Sequence, residues 1–119
     1  MQSVIATNFE TLKSMAGVAI RYMREDESVE LTAVIGRTQY EELSLSGLFE
    51  SSQSRDFLVR ADDLKLGGHK ITPERGDEIR EVVDGEELIY PVVSPSGSRH
   101  YEYSDPYRQI IRIHTKQTR

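Results

Sequence analysis

The stretch "PERGDEIREVVDGEELIYPV", beginning at Pro73, constrains the fold more than any other part of the chain. Asp84 and Gly85 stand between two alternating segments, and a two-residue connection of that kind asks for positive φ at both positions, which Asp and Gly supply more readily than most residues. Ile79 opens a strand that reaches Val83, and Leu88, Tyr90 and Val92 alternate on the return. Ahead of the hairpin, Pro73 fixes its own φ and biases Thr72 towards extended backbone, while Gly76 and Asp77 are turn residues. The stretch is therefore a turn followed by a β-hairpin, a frame rather than a site.

The same period of two recurs along the chain. Val18, Ile20 and Tyr22 alternate with Ala19, Arg21 and Met23, and Val29, Leu31, Ala33 and Ile35 with Glu30, Thr32 and Val34, with the polar "REDES" between the two runs as a hairpin connection. Before them, Thr7 with Glu10 fits a capping box, and Phe9, Leu12 and Met15 or Ala16 share a helical face that Gly17 can end, predicting a short helix over 7–16. From Thr38 to Val59 the pattern reads as a ragged hairpin, with Ser46 and Gly47 at a turn and a tip over about 43–55 expected to be mobile or ordered by a partner. "ADDLKLGGH" is a turn in which Leu64 and Leu66 anchor and Gly67-Gly68 breaks. "SPSGSRHYEYSDPY" is a polar connection carrying Tyr101 and Tyr103 at strand spacing. Arg108 to His114 alternates again, with Ile111 and Ile113 on one side and Arg108, Arg112 and His114 on the other, and the basic tail over about 115–119 is expected to be unanchored. Short strands at close spacing with turns between them predict a mainly β domain over 1–119, a small barrel or sandwich of antiparallel strands with a short N-terminal helix.

Composition narrows the function. A chain of 119 residues fits one core. The net charge of −5 disfavours unspecific attraction to phosphate backbones, whose binding energy comes largely from counterion release by cations. Cysteine is absent, which removes disulfides and thiolate zinc sites. The first residues lack the basic and apolar runs of a secretory signal, and no segment reaches the apolar length needed to span a bilayer, so the expectation is a cytosolic protein without a membrane partner.

The chemistry-bearing residues do not form a catalytic constellation. Arg75 to Asp77 spell "RGD", but Gly-Asp is ordinary turn vocabulary. His69, His100 and His114 lack metal-ligand spacing, so no metal or other cofactor is expected. Glu74, Asp77, Glu78, Glu81, Asp84, Glu86 and Glu87 crowd the hairpin region and read as a solvated charged face, with Glu78 and Glu81 the pair a hydrolase would have to use. No serine sits in a nucleophile elbow, and Gly67-Gly68 lacks the context of a phosphate loop. Tyr101, Tyr103 and Tyr107 beside Arg99, Arg108 and Arg112 are the residues that would stack bases in a single-stranded nucleic-acid binder, against the acidic balance of the chain.

With the short helix, the strands and the ragged hairpin in this order, Asp63-Leu64 and the pattern "PxxGDxI...G...YxV" through Pro73, Gly76, Asp77, Ile79, Gly85, Tyr90 and Val92 resemble the head-tail joining (neck, head-completion) proteins of tailed bacteriophages and prophages. The similarity covers roughly Asp56 to Ile113. It implies a non-enzymatic subunit arranged as a homo-oligomeric ring between portal and tail, whose protein partners are portal, adaptor or tail-completion proteins. It places the chain in the bacterial cytoplasm during assembly and then in the virion neck. Leu45, Leu48 and Phe49, with Leu43, would be apolar docking residues at the hairpin tip, and Arg108, Arg112, Lys116 and Arg119 basic ones. An acidic face lining a channel would let DNA pass without specific binding, because like charge avoids counterion-release binding. The alternative is a stand-alone β-barrel module binding a small ligand or single-stranded nucleic acid through Tyr101, Tyr103 and Arg112.

Overall fold

The structure is a computed structural model that describes residues 4–43, 49–95 and 99–116. Among these residues one helix, α1 (Val4–Ala16), precedes nine strands: β1 (Gly17–Arg24), β2 (Glu27–Leu43), β3 (Phe49–Arg60), β4 (Lys65–Leu66), β5 (His69–Lys70), β6 (Glu78–Val83), β7 (Glu86–Pro91), β8 (Tyr101–Tyr103) and β9 (Ile110–Thr115), with a 3-10 turn at Ala61–Asp63. Seven strands form one antiparallel sheet in the order β7-β6-β1-β2-β3-β9-β8, and β4 with β5 makes a small separate ladder.

The helix begins at Val4, so Thr7 lies inside it and is not the cap that its spacing to Glu10 suggested. Glu10 instead turns its carboxylate to Lys13 and Arg60, at 3.2 and 3.3 Å, and these partners outside the first turn explain the acidic residue without a capping box. Gly17 joins helix to strand directly. A Cβ there would stand 2.5 Å from the Lys13 carbonyl oxygen and 2.7 Å from Thr32, so the close approach of α1 to β2 requires glycine.

The mainly β fold follows the alternation, but the sheet does not close into a barrel. It curls until the end of β7 reaches the end of β9, where Val92 bridges Thr115, the Val93 N–H donates to the His114 carbonyl at 3.0 Å, and the Lys116 N–H to that of Pro91 at 3.3 Å. Pro91 has no N–H to extend the ladder and β8 contributes only three residues, so the two edges meet at one point and the rest of the seam stays open. Ile20, Tyr22, Leu31, Ala33, Phe57, Val59, Ile79, Tyr90, Ile111 and Ile113 fill the inside of the curl, and Leu64 and Leu66 from the β3–β5 connection pack with them.

Two hairpin turns are two residues long, the first shorter than its polar sequence suggests and the second as its Asp-Gly chemistry asks. Glu25 and Asp26 alone separate the paired Arg24 and Glu27, with Glu25 at φ 54°, so most of "REDES" is strand. Asp84 and Gly85, at φ 53° and 79°, join the paired Val83 and Glu86.

The hairpin expected to be ragged is one long, regular ladder. Pairing runs without interruption from Val34–Leu58 to Leu43–Phe49, so residues 49–55 are strand where a tip was expected. The remainder of that tip, with Leu45 and Leu48, lies outside the described residues. β1 pairs with β2 only as far as Val34, and β9 with β3 only as far as Arg55. Beyond these points the two strands continue as a two-stranded ribbon, and the molecule measures 51 Å along its longest axis against 31 and 28 Å across. At the other end of the chain, Thr115 is buried in β9, so the tail leaves the sheet one residue later than expected, and Arg119 lies outside the described residues.

Candidate functional site

The most elaborate side-chain arrangement sits where the ribbon leaves the sheet. On β3 the inward positions are Arg55, Phe57 and Val59, so Ser54 and Asp56 point to the outer face, where strand alternation ordinarily leaves polar groups in water. Both are nevertheless buried, Asp56 completely. Its cross-strand neighbours are Gly36 on β2 and His114 on β9. The Asp56 carboxylate accepts hydrogen bonds from the Thr38 hydroxyl, from Ser54 Oγ at 2.6 Å and from Arg112 Nη1 at 2.7 Å, and it lies 2.9 Å from His114 Nδ1. Gly36 makes this possible, because a Cβ there would come within 3.0 Å of Arg112 Nη1, the guanidinium that roofs the carboxylate. Burial pushes the Asp56 pKa up, yet the four donors outweigh it and bring the carboxyl down to about 2. One ionised group thereby ties β2, β3 and β9 together at the fork.

Ser54, His114 and Asp56 are the residue types of a hydrolytic triad, but the geometry is that of a clasp. Ser54 Oγ and Asp56 Oδ1 both approach the same ring nitrogen, Nδ1, at 3.4 and 2.9 Å, whereas a triad places its serine and its carboxylate on opposite nitrogens. His114 Nε2 faces Glu102 Oε1 at 3.8 Å, and Ser54 is shut away from solvent.

A second buried carboxylate locks the loop before β6. Asp77 is 4% exposed, so the "RGD" turn does not present its acid. Its oxygens accept from the Tyr22 hydroxyl, from Arg24 Nε at 3.0 Å and Nη2 at 2.9 Å, and from the Glu74 N–H at 3.0 Å. Burial again pushes upwards and Arg24, Tyr22 and the Glu74 amide pull the pKa below the usual carboxylate range. The Tyr22 phenol is pushed up by its burial and by the adjacent carboxylate. Arg24 Nη2 also donates to the Thr72 carbonyl at 2.7 Å. The loop carrying buried Pro73 and exposed Gly76, the latter at φ 100°, is thus stapled to β1.

The acidic stretch is consequently not one solvated face. Glu81 points into the curl and pairs with Arg55 at 3.1 Å, whose guanidinium lies over the rings of Phe57 and Tyr90 at 5.5 and 5.0 Å. Glu78 lies on the outer face with Arg80, so the two carboxylates of the hydrolase expectation stand on opposite faces of β6. Among the described residues no His, Cys, Asp and Glu group is placed to hold a metal ion. His100 Nε2 is 2.8 Å from the Pro73 carbonyl. Tyr101 and Tyr103 meet edge to face with centroids 6.1 Å apart and pack, half-buried, against the core, which leaves little ring face for a base.

The basic residues of the docking expectation are dispersed. Arg112 is engaged by Asp56. Arg108 precedes β9 in a loop, at φ 57°, with its guanidinium 5.5 Å from the Tyr103 ring, and Lys116 is exposed at the other end of β9. Phe49 opens β3 opposite Leu43. Sequence reading passed over Asp56, Ser54, Thr38 and Arg24 as functional groups because polar residues on a strand ordinarily face water, and it gave Tyr22 a core position without a partner for its hydroxyl. Gly36 was the available signal, since a glycine inside a strand marks a close approach by another group.

No curated protein matches this chain. The family model described as "Phage head-tail joining protein" matches residues 1–119, its whole length, in keeping with a mainly β subunit whose most organised polar groups serve structure. The chain belongs to the phage head-tail joining protein family.

Proposed function

We propose that the protein is a ring-forming subunit of the connector between head and tail, and that the β2–β3 ribbon is its docking arm. The observation that carries this reading is the ribbon rooted in the buried Asp56 clasp: two strands run past the last pairings with β1 and β9, and five side chains from three strands fix the direction in which they leave. A two-stranded ribbon without a partner is marginal in water, so extending one from a braced root favours a function in which another protein covers it. The sequence between β2 and β3 carries Leu45 and Leu48 and β3 opens with Phe49, residue types such a contact uses, and Lys116 and Arg119 are its basic candidates.

Subunits joined by two different surface patches close into a ring when the rotation between them allows. Portal, adaptor or tail-completion proteins are the partners of this reading, assembly taking place in the bacterial cytoplasm and the finished ring in the virion neck. The acidic balance of the chain suits a channel through which DNA slides without adhering. Affinity capture of the tagged protein from cells producing tailed particles tests it. Recovery of portal, adaptor or tail-completion proteins is expected, and their absence with the protein well expressed would contradict it.

A further inference from the structure

The point where the two edges of the curl meet fixes a register that runs on past the described residues. The Asp84-Gly85 turn makes Val83 and Glu86 a hydrogen-bonded pair, and such pairs alternate along an antiparallel ladder, so Glu86, Leu88 and Tyr90 turn their backbone groups to β6. Glu87, Ile89 and Pro91 turn theirs to the free side. The seam obeys the same parity: the Pro91 carbonyl accepts the Lys116 N–H at 3.3 Å, while the Val92 N–H stays on the β6 side with the Asp77 carbonyl at 2.9 Å. Of the three free-side residues of β7, only Pro91 has a backbone partner among the described residues, which leaves the N–H and carbonyl of Ile89 open at a sheet edge. Folded proteins ordinarily cover or blunt such an edge.

The antiparallel Val92–Thr115 bridge determines what lies beside that edge. Continued residue by residue, its register places Gln117 opposite Tyr90, Thr118 opposite Ile89 and Arg119 opposite Leu88. We propose that residues 117–119 extend β9 along the free edge of β7, with Ile89 and Thr118 exchanging both backbone hydrogen bonds. The parity set by the hairpin turn at one end of β7 and the parity set by the bridge at the other agree on Ile89 as the residue that faces Thr118. The side chains fall on matching faces as well. Thr115 is buried in β9, so Gln117 and Arg119 continue its inward side next to Tyr90 and Leu88, and Thr118 the outward side next to Ile89. Arg119 arrives on the face of β6 and β7 that carries Glu81 and Glu86, so the positive end of the segment meets an acidic hairpin. Exposed Lys116 stays on the outer face, open to a partner. The occupant is the chain's own segment because Thr115 and Lys116 already lie in register beside Val92 and Pro91. The inference stands apart from the connector reading, since the seam closes in the same way whatever the protein joins.

The absence of cysteine from the sequence makes the test direct. Two double variants of the full chain, Leu88→Cys with Arg119→Cys and Leu88→Cys with Thr118→Cys, are oxidised at low protein concentration. The register puts positions 88 and 119 side by side on one face and 118 on the other, so the 88-to-119 disulfide should form within one chain several-fold faster than the 88-to-118 disulfide. Amide exchange at Ile89 is followed by NMR in the unsubstituted protein and in Thr118→Pro, which has no N–H to donate to the Ile89 carbonyl. Exchange at Ile89 should be several-fold faster in Thr118→Pro, with Tyr90 unchanged. Equal disulfide rates in the two folded double variants, or equal exchange at Ile89 with and without the proline, would overturn the proposal. Disulfides formed between chains in place of within them would overturn the chain's own segment as occupant and assign the edge to a second copy. If Leu88→Cys prevents folding, the exchange at Ile89 decides by itself.

Discussion

Asp56 and Asp77 are both buried carboxylates paired with an arginine, yet they do different work. Asp77 gathers its partners from β1 and its own loop, including a backbone N–H three residues before it, so it closes a loop onto the body. Asp56 takes its partners from three neighbouring strands on the outer face of the sheet and roofs itself with Arg112. It sits at the fork where β2 and β3 leave the sheet. The contrast teaches that the same kind of buried carboxylate–arginine pair serves two different joints, one holding the mouth of the curl and the other its arm.

The comparison can be broken most readily by removing the two acids. Asp56→Ala leaves Arg112 and His114 without their carboxylate inside the structure, and we expect a loss of about 3–5 kcal/mol in denaturant unfolding. Asp77→Ala should cost less, about 1.5–3 kcal/mol, because Arg24 retains Glu74 and the Thr72 carbonyl, whereas Asp56→Ala also strands the buried His114. A larger loss at Asp77 would reverse the ranking of the two joints.

Acid unfolding sharpens the same point. The Asp56 carboxyl lies at about 2 in the fold against an ordinary 3.8, so the folded state favours its ionised form. Its contribution, about 2 kcal/mol, is present in full above the ordinary value and is lost as pH falls through the folded one. Urea unfolding across pH 2–5 should show this dependence, and Asp56→Asn should remove that component of it. The smallest effect is expected on the outer surface, where Arg80→Ala breaks pairs with Glu78 and Glu87 and should change stability by less than about 1 kcal/mol. A loss comparable to that of Asp56→Ala would mean that exposed pairs, too, hold this sheet together.

Much of the fold was legible because the inner face obeys a simple rule. Ile20, Tyr22, Leu31, Ala33, Ile79 and Tyr90 alternate cleanly, and Asp84-Gly85 carries its turn type in its chemistry. The ends of elements were harder: nothing in the chain's local pattern says that β2 continues through "GRTQYEEL", since long-range pairing with β3 supplies the order that local propensity does not. The clasp was harder still. A serine and an aspartate on the outward side of a strand look the same whether they face water or an arginine folded over a distant glycine, and only the register of β2, β3 and β9 brings Gly36, Asp56 and His114 side by side. For the same reason Arg112 reads in the sequence as an exposed basic residue of a docking strip, whereas its guanidinium lies on Asp56.

The ribbon as docking arm is the central claim, and shortening it while keeping its root is the most direct test. Replacing residues 41–51 by Asn-Gly closes the chain at the Tyr40–Ser52 pair with a two-residue turn and retains Thr38, Ser54, Asp56, Arg112 and His114. The measurement is the amount of this variant in purified head-tail particles, set beside its melting transition. The account predicts a folded protein with a transition close to that of the full chain and no incorporation into joined particles. Incorporation at the level of the full chain, with heads joined to tails, would contradict it.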